Sequence, residues 1–331
     1  MKEALLGFSA LVLLLLPSCA ASPASMSPQL DTIRLVGTMG PLSIPLACMV
    51  EHNNLAAVAK KTTLEIWANP SQLQAIVSGG QGDFVSLPTN SAATFYNKGI
   101  SLQLLDSSVW NILYLVTADP SVRSTVDLKG KRIVLSYQGA VPDAMFQVLL
   151  TDQGLAPGRD IEIYYAPDAV QASQLLLSGQ EKYALLSEPS ATSVILKAQS
   201  SGKNLARAFD MQTEWRKGGS DRVSTPVAGT IVLGSSRDRP DVIRVFEDEY
   251  RKAVGWMLAN PVEAGEIGAK VLADQGFNAE ILTQSIQNID WRFVSAQDAR
   301  PDLEAFFGAL SKISPNYVGG KQPDDGFYRE R

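Results

Sequence analysis

Small polar side chains recur where a predicted strand gives way to a predicted helix. Hydroxyl and amide groups at such junctions donate and accept hydrogen bonds, so they suit the capture of a small molecule. The same residue types also cap helices, and each position is open to that alternative interpretation. The candidates for ligand contact, together with residues beside them, are Thr38, Met39, Gly40, Pro88, Thr89, Asn90, Ser136, Tyr137, Gln138, Gly139, Glu188, Thr225 and Gly229.

Catalytic chemistry has little support in the sequence. His52 is the single histidine, and its place near the end of a predicted helix favours a solvated surface residue. The spacing puts no serine, cysteine or acid beside it as a nucleophile–base pair, and no paired histidines or clustered cysteines offer a metal site. A carboxylate pair drawn from Glu51, Asp83 and Glu188 stays open as a general acid and base. We expect a protein that is not an enzyme and that needs no cofactor or metal.

Two acids bear on the charge of a ligand. Asp143 falls in the first turn of one predicted helix and Glu188 opens another, where a carboxylate offsets the positive end of the helix dipole. If these acids face the ligand, they repel an anion and attract an amine. If they face outward, they only complement the dipole. Both orientations stay open.

The elements that position these residues alternate between strands and helices. Residues 128–150, for example, predict a strand at 133–135, a polar loop, and a helix beginning near Pro142. In an open α/β sheet such junctions hold ligands, because the free N–H groups of the first helical turn face the crevice beyond the strand ends. The alternation predicts an α/β fold with parallel, doubly wound sheets.

One helix–strand–helix unit occurs twice in the chain. Residues 68–90 and 166–190 each begin a helix near a proline, carry a glutamine at the same place, and end the helix at Ser-Gly. Gly79 and Gly179 are predicted to take the left-handed conformation there. A short apolar strand follows in both copies, and then a proline suited to the start of another helix. The repeat predicts two α/β lobes of similar construction.

Two apolar segments are candidates for the passages between the lobes. Residues 109–117 are apolar enough for a strand that is buried on both faces or crosses between lobes, and 226–233 suit the return. After Pro240 the pattern predicts helices, the first with a continuous apolar stripe. Beyond Pro315 the chain is predicted to be loosely ordered.

The N-terminus is typical of an export signal. An apolar run at 4–16 is too short to cross a bilayer, and Cys19 follows in a sequence that resembles a bacterial lipoprotein signal. Residues 1–18 are then a cleaved signal peptide, Cys19 carries a lipid, and 19–30 form a flexible tether. Cleavage at 20–24 without lipidation is the alternative. Both interpretations place the mature protein outside the cytoplasm.

The composition of the chain argues against nucleic-acid binding and against stabilisation by disulfide bonds. The net charge is −5 at pH 7 with acids and bases interspersed, which argues against nucleic acid as a partner. Only Cys48 remains beyond Cys19, so lipidation of Cys19 leaves no intramolecular disulfide, and Cys48 is predicted to be a buried thiol. Stability must come from hydrophobic cores, and roughly 300 mature residues suffice for two of them.

The order of these features resembles a known family. The segments GDF at 82–84, LKGKRIVL at 128–135, SEPS at 187–190 and WMLANPVEA at 256–264 look like parts of the substrate-binding proteins of bacterial ABC importers. The branch is the one that serves nitrate, alkanesulfonates, taurine and thiamine precursors. The resemblance covers essentially the whole mature chain, and the order of the motifs carries it, since no single motif is specific.

The resemblance implies the type II periplasmic-binding fold, with two doubly wound lobes joined by two crossing segments. Lobe 1 is predicted to comprise 31–112 and 228–331, and lobe 2 to comprise 113–227. One small organic solute would be captured between the lobes and delivered to an ABC permease with its ATPase. The protein would be a monomer in the periplasm or at the cell surface, held to the membrane through the lipid on Cys19.

The resemblance leaves the ligand and part of the function open. A sulfonate-like or nitrate-like anion and a nitrogenous heterocycle such as a thiamine precursor are both compatible with the branch. A ligand sensor with the same fold but no transporter is one alternative function. An enzyme of pyrimidine or thiamine-precursor synthesis is another, although the enzymes of this family use a cysteine-rich segment that this chain lacks.

Overall fold

The structure is a computed structural model that describes residues 28–136, 138–219, 222 and 224–330. Tyr137, predicted to contact the ligand, and Cys19, predicted to carry a lipid, lie outside this part of the chain, as do the predicted signal peptide and most of the tether. The strands are β1 Leu30–Thr38, β2 Ala59–Trp67, β3 Phe84–Pro88, β4 Leu102–Asn111, β5 Leu113–Thr117, β6 Arg132–Ser136, β7 Glu162–Ala166, β8 Tyr183–Ser187, β9 Ala206–Asp210, β10 Ala228–Leu233 and β11 Asp290–Ser295. The helices are α1 Ser43–Glu51, α2 Pro70–Ser78, α3 Thr89–Asn97, α4 Val141–Asp152, α5 Ala169–Ser178, α6 Ser190–Ser200, α7 Met211–Arg216, α8 Pro240–Ala259, α9 Pro261–Leu272, α10 Ala279–Gln287 and α11 Ala296–Ile313.

The first sheet has six strands in the order β11-β4-β10-β3-β1-β2. β1 is parallel to β2 and β3, whereas β10 is antiparallel to β3 and β4, and β11 is antiparallel to β4. β10 is buried along its whole length, as expected for a strand in the middle of a sheet with helices on both faces. This sheet and its helices form lobe 1.

The second sheet has five strands in the order β7-β6-β8-β5-β9, and with its helices it forms lobe 2. β6 is parallel to β7 and β8, and β5 is antiparallel to β8 and β9. The chain enters lobe 2 between β4 and β5, where Ile112 alone separates the two strands, and it returns between α7 and β10. The prediction of two α/β lobes joined by two crossing segments is confirmed. The single strand predicted at 109–117 is divided at Ile112, because its two halves pair in different sheets.

Both copies of the repeated unit fold as helix, strand and helix. In the first copy these elements are α2, β3 and α3, and in the second they are α5, β8 and α6. Gly179 ends α5 in the left-handed conformation with φ 83°, as predicted. The same prediction for Gly79 is wrong, because its φ is −83° and the left-handed residue is the next glycine, Gly80, with φ 61°. Two successive glycines let the turn fall on the second one.

The core of lobe 1 is closed by α8. The predicted apolar stripe of this helix is buried, which follows from its helical spacing. Phe246 stacks on Phe84 of β3 with ring centroids 3.9 Å apart, and Tyr250 stacks on Phe246 at 5.6 Å. A row of aromatic rings therefore joins α8 to the middle of the sheet.

The end of the chain differs from the prediction. β11 is a strand that the sequence pattern did not predict, and the segment beyond Pro315, predicted to be loosely ordered, is ordered: Val318 and Phe327 are fully buried. The ring of Phe327 packs against Tyr96 of α3 with centroids 5.4 Å apart, and the N–H of Arg329 donates to Leu104 O of β4 at 2.9 Å. The tail is ordered because its apolar side chains fill the surface of lobe 1.

No helix in the described part of the chain combines the length and the apolar character needed to span a membrane.

Candidate ligand-binding cleft

The helices differ in how their first turns are capped. In α2, α5, α7, α10 and α11 a side chain at the N-cap accepts a hydrogen bond from a first-turn N–H. Among the described residues, no side chain does so at the N-cap of α1, α3, α4 or α6, which follow β1, β3, β6 and β8. The same holds for α8 and α9, which follow no strand directly. An uncapped first turn leaves N–H groups for another partner.

The first turns of α1 and α6 are closed by other groups. The N–H of Ser43 donates to Gly40 O at 3.1 Å, and that of Ile44 donates to Pro41 O at 2.9 Å, so backbone carbonyls serve α1. In α6 the N–H of Thr192 donates to Glu188 Oε2 at 3.1 Å. In α3 the N–H of Thr89 donates to Val227 O at 3.1 Å. The next N–H groups of α3 in lobe 1 and the first turn of α4 in lobe 2 are therefore the open positions among the four helices.

Two adjoining cavities lie where α3 and α4 approach one another. Their volumes are about 220 Å³ and 290 Å³, and Gly139, Asn316 and Tyr317 line both. The first cavity is also lined by Pro70, Leu73, Gln74, Asn90, Ser91, Thr94, Phe95 and Lys98, and the second by Gln138, Asp143, Gln147 and Ser314. Amide and hydroxyl groups make up much of this lining, which suits hydrogen bonding to a small polar molecule.

Asn90 carries an unused hydrogen-bond acceptor beside the first cavity. It stands in the first turn of α3 and is 5% exposed. Its Nδ2 donates to Tyr317 O at 2.9 Å, which fixes the orientation of the amide. Its Oδ1 is buried and has no hydrogen-bond partner among the described residues. A buried acceptor without a donor is costly, so this oxygen is suited to a ligand N–H or O–H.

Asp143 lies at the open end of α4 and is 1% exposed. Its Oδ2 accepts from the N–H of Gly139 at 2.8 Å, and its Oδ1 accepts from Gln147 Nε2 and Tyr165 OH, both at 2.9 Å. Burial and the Asp143 charge raise the pKa of Tyr317 to about 12, and burial together with the hydrogen bond to Asp143 raises the pKa of Tyr165 further. Both tyrosines therefore stay neutral donors at physiological pH.

Glu188 is paired inside lobe 2. Its Oε1 accepts from Arg207 Nε at 2.9 Å, and Oε2 accepts from the N–H of Thr192 at 3.1 Å. Burial raises the pKa of Glu188 above its ordinary value, and the Arg207 charge counteracts that effect. Because the guanidinium neutralises this carboxylate, Glu188 contributes little net field to the cleft.

The structure brings three of the predicted ligand-contact residues together at the cavities: Asn90, Gln138 and Gly139. Ser91 and Asp143, which stand in the first turns of the same two helices, join them. The other predicted residues that the structure describes do not line either cavity: Thr38, Met39, Gly40, Pro88, Thr89, Ser136, Glu188, Thr225 and Gly229.

Two of these residues instead secure the passage between the lobes. Thr89 Oγ1 donates to Pro226 O at 2.5 Å, and Thr225 Oγ1 donates to Trp110 O. Both hydroxyls are fully buried. They tie the returning segment to α3 and to β4, where the outgoing segment starts, so their hydrogen bonds hold the two crossings together.

Close packing accounts for the positions of others. Gly229 lies in β10, where an added Cβ would fall 1.9 Å from Asp106 O, so only glycine allows the neighbouring strand to approach. Thr38 O accepts from Ser43 Oγ at 2.5 Å, and the N–H of Met39 donates to Trp67 O at 3.0 Å. These bonds shape the loop between β1 and α1.

Sequence reasoning missed the contribution of the C-terminal segment. Asn316 and Tyr317 line both cavities, although they are distant in sequence from every predicted contact residue. Gln74 and Gln147 were also missed, since a glutamine on a helix surface is common. The aromatic residues of the tail could have indicated that it is ordered. Disordered segments contain few aromatic side chains, whereas this tail has Tyr317, Phe327 and Tyr328.

The residues considered for catalysis lie apart, and each contacts a different partner. His52 packs edge-on against Trp256 with ring centroids 4.5 Å apart. Glu51 accepts from Lys270 Nζ at 2.7 Å, and Asp83 accepts from the N–H of Arg34 at 2.7 Å and from Ser236 Oγ at 2.8 Å. In the described residues, no group of three or more His, Cys, Asp or Glu side chains is placed to hold a metal ion.

Known structures with a similar fold were found for this chain. No family model matches the sequence, and no curated protein matches it significantly. An ABC transporter structure from Parabacteroides distasonis is 25% identical, with a TM-score of 0.74 over 91% of this chain and 99% of that one. The periplasmic aliphatic sulphonate-binding protein SsuA of Escherichia coli is 15% identical, with a TM-score of 0.70 over 92% and 93% of the two chains. The periplasmic nitrate-binding protein NrtA of Synechocystis PCC 6803 is 13% identical, with a TM-score of 0.57 over 82% and 75%.

The sheet order, the two crossings and these similarities agree with one another. The chain has the two-lobed type II periplasmic-binding fold, and its structural neighbours are periplasmic binding proteins of ABC transporters from the branch that the sequence resembles.

Proposed function

We propose that the protein is the extracytoplasmic solute-binding protein of an ABC importer. It captures one small organic solute between its lobes and delivers it to a membrane permease with its ATPase. The lobes comprise 31–112 with 228–331, and 113–227. The observation that carries the proposal is the convergence of two open helix N-termini, α3 from lobe 1 and α4 from lobe 2, on adjoining polar cavities.

Helix N-termini from different lobes suit reversible capture. Each presents backbone N–H groups and the positive end of a helix dipole to the ligand. Because the two helices belong to different lobes, a ligand that forms hydrogen bonds with both stabilises the closed arrangement of the lobes. Binding energy is thereby converted into a lobe closure that a permease can recognise.

The lining of the cavities favours a nitrogenous heterocycle over a sulfonate or nitrate. Asn90 Oδ1 needs a donor, and an oxyanion carries acceptors only. A heterocycle offers N–H groups to Asn90 and ring nitrogens to the helix N–H groups. Asp143 and Lys98 are the charged side chains among the lining residues, so the site has no excess of positive charge to hold an anion.

The proposed location follows from the N-terminal sequence. The signal at 1–18 directs export, a lipid on Cys19 anchors the chain, and the body acts as a monomer in the periplasm or at the cell surface. Globomycin-type inhibition of lipoprotein processing should leave the precursor uncleaved. Normal cleavage under that inhibition would assign the signal to the ordinary export class.

Thermal unfolding of a form beginning after Cys19 tests the binding function. The panel holds sulfonates, nitrate, thiamine precursors, amino acids, polyamines and aromatic acids. A ligand at about a hundred times its dissociation constant stabilises the native state by roughly 2.7 kcal/mol, which raises the unfolding midpoint. We expect a saturable rise with a heterocyclic member of the panel. No rise with any member, together with no small molecule retained in native mass spectrometry, would contradict the proposal.

A further inference from the structure

The segment 314–321, here called the strap, is fixed to α3 of lobe 1. Thr94 Oγ1 and Asn90 Nδ2 both donate to Tyr317 O, at 3.5 Å and 2.9 Å. Asn97 Nδ2 donates to Val318 O at 2.7 Å and to Lys321 O at 2.6 Å. The strap lies so close to the helix that an added Cβ on Gly319 would fall 2.9 Å from Thr94 Cα. The backbone of the strap therefore belongs to lobe 1.

The side chain of Tyr317 reaches the other lobe. Its hydroxyl lies 3.4 Å from Asp143 Oδ2 and 3.4 Å from Gln147 Nε2, both on α4. Asp143 is held in place within lobe 2 by Gly139 and Tyr165. A single tyrosine thus joins a backbone carried by lobe 1 to a carboxylate carried by lobe 2, at the wall shared by the two cavities.

We propose that the strap is a latch between the lobes and that the Tyr317 hydroxyl is its contact with lobe 2. The latch acts at the cleft, away from the two crossing segments, so it opposes opening in the absence of ligand. Its hydrogen bonds are long, and a long hydrogen bond is weak enough to be exchanged for others. The latch goes beyond solute binding, because it operates with the cleft empty and does not depend on which solute is bound.

Hydrogen exchange of the ligand-free protein tests the latch. Tyr317→Phe removes the hydroxyl and keeps the ring, so the strap stays on α3 while the bond to lobe 2 is lost. We expect amide exchange in 138–147 to become about threefold faster, near the lower end of the range for loss of one hydrogen bond. Exchange in 89–97 of lobe 1 should stay within a factor of two.

Tyr96→Phe is the matched control. Tyr96 also donates its hydroxyl to a carboxylate, Asp324 of the tail, but both partners belong to lobe 1. This variant should leave exchange in 138–147 unchanged. Unchanged exchange in 138–147 in Tyr317→Phe, or an equal acceleration in both variants, would overturn the latch and leave the strap as a local part of lobe 1. Failure of the solute-binding proposal would not alter either result, because no ligand is present.

Discussion

The two copies of the repeated unit, 68–90 and 166–190, share a fold but end differently. In the first copy β3 ends at Pro88 and α3 starts at the next residue. In the second, Glu188 and Pro189 are inserted between β8 and α6, and the Glu188 carboxylate occupies the first turn of α6. These two residues close the N-terminus of α6 with a side chain, whereas in α3 the N–H of Thr89 is bonded to Val227 O and the following N–H groups stay open. Under the proposed function, the strand–helix junction decides which helix N-terminus can contact the solute.

Two buried acids, one from each lobe, are accommodated in different ways. Lobe 2 buries Glu188 with Arg207 beside it, at 2.9 Å from Nε. Lobe 1 buries Asp106 in β4, where the Ser108 and Thr230 hydroxyls face its carboxylate, although neither is placed for a hydrogen bond of ordinary geometry. Burial raises the pKa of Asp106 to about 8, so this acid is largely protonated at neutral pH. The carboxylate of Glu188 is thus neutralised by a cation, and that of Asp106 by a proton.

Breaking the ion pair of the second copy should have the largest effect. In Arg207→Met, the fully buried Glu188 carboxylate loses its counter-charge, and we expect the free energy of unfolding to fall by about 3 kcal/mol or more. Urea unfolding measures the loss. The double variant Glu188→Gln with Arg207→Met should recover most of it. A single variant within 1 kcal/mol of the parent would mean that the pair does not close α6.

The raised pKa of Asp106 should make stability depend on pH. Its folded pKa is raised to about 8, so between about pH 4 and pH 8 the unfolded state has released a proton that the folded state retains. The contribution of Asp106 to stability is therefore greatest at the acid end and falls as pH rises through this window, by up to about 1.4 kcal/mol per pH unit. Asp106→Asn removes this term, so urea unfolding at pH 5 and pH 7 should favour the variant increasingly as pH rises. A constant difference between the two proteins at both pH values would show that Asp106 titrates normally.

The open junction of the first copy should matter for affinity more than for stability. With the solute found by thermal unfolding, Asn90→Ala removes the acceptor Oδ1, and we expect binding to weaken by about 1–3 kcal/mol. Asn97→Ala is the control, because Asn97 lies on the same helix and bonds the same strap but does not line a cavity. Calorimetry of both variants separates the roles. Equal losses in both would mean that Asn90 acts only by holding the strap.

An acid added to each first turn should have opposite effects in the two copies. Ser91→Asp supplies a negative charge to the open end of α3, and we expect stabilisation by about 0.3–1 kcal/mol. Thr192→Asp puts a second carboxylate beside Glu188 and removes the hydroxyl that Arg207 contacts, so it should destabilise. Thermal unfolding measures both. Stabilisation of α6 by Thr192→Asp would mean that its N-terminus is open after all.

The sequence was sufficient for features that depend on local pattern. Hydrophobic periodicity and Pro or Gly positions predicted the α/β fold, the repeated unit and the apolar stripe of α8. Asn90, Gln138 and Gly139 could be placed near the cleft because they lie within a few residues of a strand end. The state of each junction could not be predicted in this way, since α6 is closed by an acid whose partner, Arg207, lies on a different strand.

Other features depend on contacts between distant parts of the chain. Tyr317 reaches Asp143 across 174 residues, and no local pattern encodes that approach. Thr89 and Thr225 have side chains of the type expected for ligand contact. Their hydroxyls instead donate to backbone carbonyls at the crossings. Side-chain type predicts what a residue can bond, whereas the tertiary fold decides which partner is within reach.

Hydrogen exchange with and without the stabilising solute tests the central claim most directly. We predict that the solute slows amide exchange in the first turns of α3 and α4, at 90–92 and 139–143, by at least tenfold. The first turns of α1 and α6, at 43–44 and 190–193, should exchange as in the free protein. Protection of α1 and α6 without protection of α3 and α4 would contradict the account, because the ligand would then lie at the junctions that the structure shows to be closed.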